Sequence, residues 1–196
     1  TMGKTFETID AALAAWLERQ PVFFVASAPL DADGHVNCSP KGGDSLRVLG
    51  PREVAYLDGS GSGIETVAHL RENGRLVIMC CAFDGAPRIV RLHGRGEVVV
   101  PGAAGFDALL TRFEPLALPT VRAIVRLEVA RVADSCGYGV PLMDFRAPRR
   151  DGAAWLAKSS DQTLRRYLVA NNQRSLDGLP AMSADELEGV VIRRDR

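Results

Sequence analysis

The chain has 196 residues, and its 24 Lys and Arg are matched by 24 Asp and Glu, so its formal net charge is zero. That length suggests one folding unit able to bury a core without staples. The charge balance removes the basic excess of a nucleic-acid binder and the acidic excess of a solvating tail, and no apolar run is long enough for a transmembrane helix.

The N-terminal stretch holds no uninterrupted apolar segment with a small-residue cleavage site, so no signal peptide is expected. Cys38, Cys80, Cys81 and Cys136 form no CxxC pair, and His35, His69 and His93 are scattered. No metal site is expected from that spacing. A reduced cytoplasmic protein fits this cysteine usage best.

In chain order, "TIDAALAAWLERQ" predicts an amphipathic helix with Thr8 or Asp10 as its cap and Pro21 as its stop. "VFFVASA" predicts a buried strand, and Asp33-Gly34 predicts a hairpin pairing residues 22–28 with 36–39. "SPKGG" then breaks that strand. A further strand falls at "REVAYLD", followed by "GSGSG" and a helix over "IETVAHLRENG" that ends at Gly74. "RLVIMCCAF" predicts an apolar strand, Asp84-Gly85 a turn, and "RIVRLHGRGEVVV" a long returning strand bent or bulged at Gly94 and Gly96. "GFDALLTRF" predicts a short helix, and "RAIVRLEVARVADS" a half-buried strand with period-two alternation.

Beyond Cys136 the composition changes. "CGYGVP" predicts a turn, "GAAWLAKSSDQTLRRYLVANN" one helix, and "SLDGLP" another turn. Five or six strands with only two short helices precede it. That pattern predicts a mainly β, antiparallel barrel decorated by helices, not a doubly wound parallel sheet. No linker is apparent, so residues 1–196 are expected to form one domain, with a core over about 21–135 and a helical extension over 136–196.

Three stretches carry weak signals for an anion. Lys41 stands between Pro40 and two glycines, which describes a solvated turn or a loop that brings a cation and N–H groups to a ligand. "GSGSG" precedes a helix, whose free N–H groups and dipole attract anions; Ser60 and Ser62 add hydroxyls, and Ser62 is equally a plain N-cap. Arg91, His93 and Arg95 share one strand face, which either lines a site or faces solvent. Neither a P-loop nor a GxGxxG motif is present, and Gly61 stands where a nucleophile elbow needs Ser.

The order "NCSPKG", "VAYLDG", a Ser/Gly-rich helix start, "LRENGRLVIMCC" and "PRIVRLHGRGEV" resembles the pyridoxamine 5′-phosphate oxidase-like, FMN-binding split-barrel proteins, over roughly residues 21–100. The resemblance implies a six-stranded antiparallel split β-barrel, a homodimer, and FMN at the subunit interface. It implies Ser39 and Lys41 at the flavin ring or phosphate, and Tyr56, Leu57 and Asp58 beside the isoalloxazine ring. Ser62 and Gly63 would hold the phosphate, and Arg91 would reach the cofactor. Gly63 and Ile64 stand where the oxidase carries a basic residue after its phosphate-binding Ser. The chain ends "VVIRRDR", without the oxidase's arginine–histidine substrate signature, so vitamin B6 oxidation is not the expected reaction. The expectation is an FMN-dependent oxidoreductase acting on a small molecule, with no catalytic acid or base assigned. Its alternatives are a deazaflavin-dependent reductase on the same fold and a non-catalytic flavin-binding protein.

Overall fold

The structure is a computed structural model that describes residues 3–193. The strands are β1 (Lys4–Phe6), β2 (Val22–Ser27), β3 (Asn37–Gly42), β4 (Leu46–Gly50), β5 (Glu53–Asp58), β6 (Arg75–Cys81), β7 (Ile89–Val99), β8 (Thr120–Val121), β9 (Ala123–Ser135) and β10 (Val191–Ile192). The helices are α1 (Ala11–Glu18), α2 (Glu65–Glu72), α3 (Phe106–Leu110), α4 (Asp151–Lys158), α5 (Asp161–Asn172) and α6 (Ala184–Glu188). Among the described residues, no helix is long and apolar enough to cross a membrane.

Every strand pair is antiparallel. The main sheet runs β3-β2-β6-β7-β9-β5-β4, with β1 added beside β9, and β8 pairs β10 separately. This is the expected antiparallel split barrel, with eight strands in the main sheet where six were expected. The additions are β1 and β4, of three and five residues. The two edge strands, β3 and β4, are consecutive in the chain, and the turn between them has Gly43 at φ 70° and Asp44 at φ 51°. Ser45 Oγ donates to the Gly42 carbonyl at 2.7 Å, and Leu57 N–H donates to the Ser45 carbonyl at 2.9 Å. The sheet therefore curls until its two edges meet.

Two local expectations need correction. "SPKGG" does not break the strand: β3 continues to Gly42, with Pro40 opposite Phe24 and Lys41 opposite Phe23. An edge strand tolerates Pro because the missing N–H has no ladder partner to leave empty. The Asp33-Gly34 signal sits inside a loop of residues 28–36, where Gly34 N–H donates to the Asp31 carbonyl, and not in a two-residue hairpin. In the extension, the single expected helix is two. Ser160 starts α5 by accepting from Thr163 N–H at 3.1 Å, so the chain reorients at Ser159-Ser160.

Other expectations hold. Asp10 caps α1 through Leu13 N–H at 2.7 Å. The bulge falls at His93/Gly94, where His93 pairs with Arg131 and Gly94 with Val129, leaving Ala130 extra. A Cβ on Gly94 would stand 1.9 Å from the Glu128 carbonyl oxygen, so this close approach requires glycine.

The barrel interior holds Phe23, Val25, Tyr56, Ile78, Leu92 and Leu127, with Leu13 and Leu17 of α1 packed into it. A second core joins α2 to the extension: Ile64, Val67 and Ala68 meet Leu156, Leu164, Leu168 and Leu187. A third gathers Leu57, Phe106, Phe113 and Ile124 around α3.

Candidate functional site

A cleft of about 420 Å³ opens where the curled sheet meets itself. Its walls are Ser39–Gly42 of β3, Leu57 at the end of β5, the loop of Gly59, Ser60 and Gly61, the start of α2 from Gly63 to Thr66, and Leu118 and Arg122. Alternation along β5 puts Leu57 on the cleft side and Tyr56 on the barrel side.

At its base lies a buried carboxylate. Asp58 ends β5 with 1% of its surface exposed. Lys41 Nζ reaches Oδ1 at 2.7 Å, and Arg122 Nε reaches Oδ2 at 2.8 Å. Arg122 is itself 3% exposed, and its backbone N–H donates to the Asp58 carbonyl at 3.0 Å. Burial works to raise the Asp58 carboxyl; Arg122 and then Lys41 overcome it and hold the group below its ordinary value. One anion between two cations leaves the cluster with one net positive charge facing the cleft.

Further donors surround that charge. Ser60 Oγ is buried without a hydrogen-bond partner, while Ser60 N–H donates to Thr120 Oγ1 at 3.0 Å. The N-cap position of α2 is Ile64, whose side chain makes no cap hydrogen bond, and an uncapped helix start directs N–H groups and the positive end of its dipole outward. Gly59, Gly61 and Gly63 add no side chain to the loop, whose side chains are those of Ser60 and Ser62. On the β3 wall, Ser39 Oγ donates to Asn37 Oδ1 at 3.0 Å, and Asn37 Nδ2 donates to Thr66 Oγ1 at 2.9 Å. Glu65 also lines the cleft, with Oε1 accepting from Leu176 N–H at 3.3 Å. The donor set suits a phosphate at the Lys41–Ser60–Arg122 end, and Pro40, Leu57 and Leu118 give an apolar wall for a flat ring.

Of the expected site residues, Ser39, Lys41, Leu57 and Gly63 line the cleft, and Asp58 anchors its base. Tyr56 lies wholly inside the barrel core, with its ring edge-on to Phe23. Ser62 is exposed and does not cap α2. Arg91 lies outside this cleft, on the outer side of β7, and donates to Ser135 Oγ at 3.0 Å. Sequence reasoning missed Arg122, Asn37, Thr66 and Asn172. A signal for Arg122 existed: an Asp closing the apolar run "VAYLD" demands a buried cation. Burial pushes the Cys80 thiol up to about 12, so it is no thiolate nucleophile. Among the described residues, no group of three or more His, Cys, Asp or Glu is placed to hold a metal ion.

These features define the class: a split-barrel protein whose sheet edges close on a glycine-lined cleft with a cationic base. The profile of the pyridoxamine 5′-phosphate oxidase family matches residues 9–136. The pyridoxamine 5′-phosphate oxidase family protein ustO of Aspergillus flavus is 40% identical over 192 residues, covering 90% of this chain and 77% of that protein. The chain belongs to the pyridoxamine 5′-phosphate oxidase family. Two crystal structures of HupZ from Group A Streptococcus share its fold at 20% identity, with TM-scores of 0.52 and 0.51. They cover 64% and 63% of this chain and 98% and 91% of theirs, so about a third of this chain lies outside that likeness.

Proposed function

We propose that this protein is an FMN-dependent oxidoreductase whose cleft holds the phosphate and one face of the flavin. The observation that carries the reading is the Lys41–Asp58–Arg122 cluster beside the buried, unpartnered Ser60 hydroxyl. A buried hydroxyl without a partner costs stability unless a ligand completes it, and a phosphate oxygen does so. FMN, when bound, supplies the hydride transfer, and the protein supplies binding, orientation and electrostatics. Lys41 and Arg122 carry the charge that the position after Ser62 lacks. Leu57, Pro40 and Leu118 offer the apolar surface for the ring.

A homodimer belongs to this reading. Arg91 faces away from its own cleft, so a cofactor at a subunit interface is what would bring it near a flavin. Tyr138, Leu142, Met143 and Phe145, each at least 59% exposed, offer apolar area for such a contact. The free Cys38, Cys80, Cys81 and Cys136 suit a reducing cytoplasm.

The test is the visible spectrum of purified protein with and without added FMN, alongside sedimentation. A yellow dimer that NADH or NADPH reduces, and that turns over with an acceptor, supports the reading. A colourless protein that ignores FMN removes it. Tight binding of a deazaflavin with no FMN binding transfers the reading to that coenzyme. FMN binding without any reduction makes the protein a flavin carrier.

A further inference from the structure

Asn172 is the last residue of α5 and is completely buried. It belongs to the extension, yet both ends of its side chain act on the cleft. Nδ2 donates to the Gly61 carbonyl at 2.9 Å, and Oδ1 accepts from Arg122 Nη1 at 2.9 Å. Its own backbone carbonyl accepts from Met182 N–H at 3.2 Å. The helix that carries it is held in place by Leu164 and Leu168, buried in the core that includes Ile64, Val67 and Ala68. Asn172 therefore arrives at the cleft from a rigid support.

Both contacts bear on an anion. Arg122 is gripped by Asp58 on one side and Asn172 on the other, which fixes the direction of its guanidinium. The Gly61 oxygen, which would repel an anion, is engaged by an amide donor instead. Across a trans peptide the following N–H points the opposite way, so one hydrogen bond sets the orientation of the whole peptide group. An Asn amide supplies one acceptor and one donor side by side, and no apolar residue can replace that pair.

We propose that Asn172 is a positioning residue of the anion site, and that the extension thereby forms a working wall of the cleft. The ligand's identity rests on the flavin reading above; the geometry does not. The experiment compares wild type with Asn172→Ala and the near-isosteric Asn172→Asp, titrating FMN and riboflavin by fluorescence and recording thermal melts. Riboflavin lacks the phosphate, so it reports the ring site alone. Asn172→Ala weakens FMN roughly tenfold and riboflavin less than twofold, as expected when a charge-assisted contact loses its orientation. Asn172→Asp lowers FMN affinity further, because it sets a carboxylate beside Arg122, and it supplies the answer if Asn172→Ala does not fold. Equal losses for both ligands, or unchanged FMN affinity, overturn the proposal by leaving Asn172 a plain packing residue. Inorganic phosphate, titrated by calorimetry, keeps the two readings apart and also decides if riboflavin binds too weakly to measure. Wild type that binds phosphate but not FMN sinks the flavin reading alone, and the variants' phosphate affinities then decide for or against Asn172. Wild type that binds neither overturns both.

Discussion

Asp58 concentrates the energetics of the site in one residue. Its carboxylate is buried and survives there only because Lys41 and Arg122 each donate a charge-assisted hydrogen bond. Removing the charge while keeping the shape leaves a guanidinium and an ammonium facing each other with little water. Asp58→Asn is therefore expected to destabilise the fold by about 3 kcal/mol, the usual cost of breaking a buried pair from one side. For a chain of this size that lowers Tm by roughly 6–12 °C in calorimetry. Lys41 behaves differently because Arg122 remains to neutralise Asp58. Lys41→Ala is expected to weaken FMN binding several-fold, with the melting temperature reduced less than in Asp58→Asn. Unchanged affinity would return Lys41 to the role of a structural cation. The pairing of Lys41 with Asp58 could not be read from the chain, where 17 residues separate them.

Among the elements, β7 and β9 frame the barrel and the site depends on their bend. These two strands pair along their whole length, and the bulge at His93/Gly94 lets them follow the curl. "LHGRG" announced that bulge because glycine inside a strand needs a reason. The reason is the Glu128 carbonyl, 1.9 Å from where a Cβ would sit. Gly94→Ala is expected to cost roughly 2–3 kcal/mol through this overpacking, measured by urea denaturation. A loss under about 0.5 kcal/mol would mean that the strands slide freely past the contact. The β3 edge gives the opposite lesson. "SPKGG" has turn composition, yet all but its last glycine lies in a strand, because an edge position forgives Pro40 and the true turn falls at Gly43 and Asp44. Propensity gave way there to pairing with β2.

Across the whole molecule, the extension is clasped to the barrel by carboxylates as well as by its apolar core. Arg71 bonds Glu186 at 2.6 Å, and His35 bonds Asp177 at 2.6 Å. The hydrogen bonds from His35 hold Asp177 below its ordinary 3.8. Burial works to raise Glu186, but hydrogen bonds from Arg71 and Ser183 outweigh it and leave the group below its ordinary 4.5. A carboxyl with a depressed folded value stabilises fully above its ordinary value, and that stability is lost as pH falls through the folded one. The extension is therefore expected to loosen on acidification below those ordinary values. Trp155 of α4, whose ring lies 5.6 Å from Tyr167, reports this by fluorescence in a Trp16→Phe background. Asp177→Asn should remove part of the acid-induced change. An emission trace flat to pH 3 would assign the docking to the apolar core alone.

The sequence by itself determined the antiparallel barrel, the bulge and the capped first helix, and it raised three stretches as candidates for an anion site. Each of these is local: it rests on a period, a glycine or a cap within a few residues. The tertiary structure decided which of those stretches meet. It brought "SPKGG" and "GSGSG" to one cleft, left Arg91 outside it, and turned Tyr56 into the core by the pleat of β5. It also delivered Arg122 and Asn172, which contact each other and lie 50 residues apart. No pattern along the chain carries that meeting, because it depends on how the sheet curls and where α5 docks.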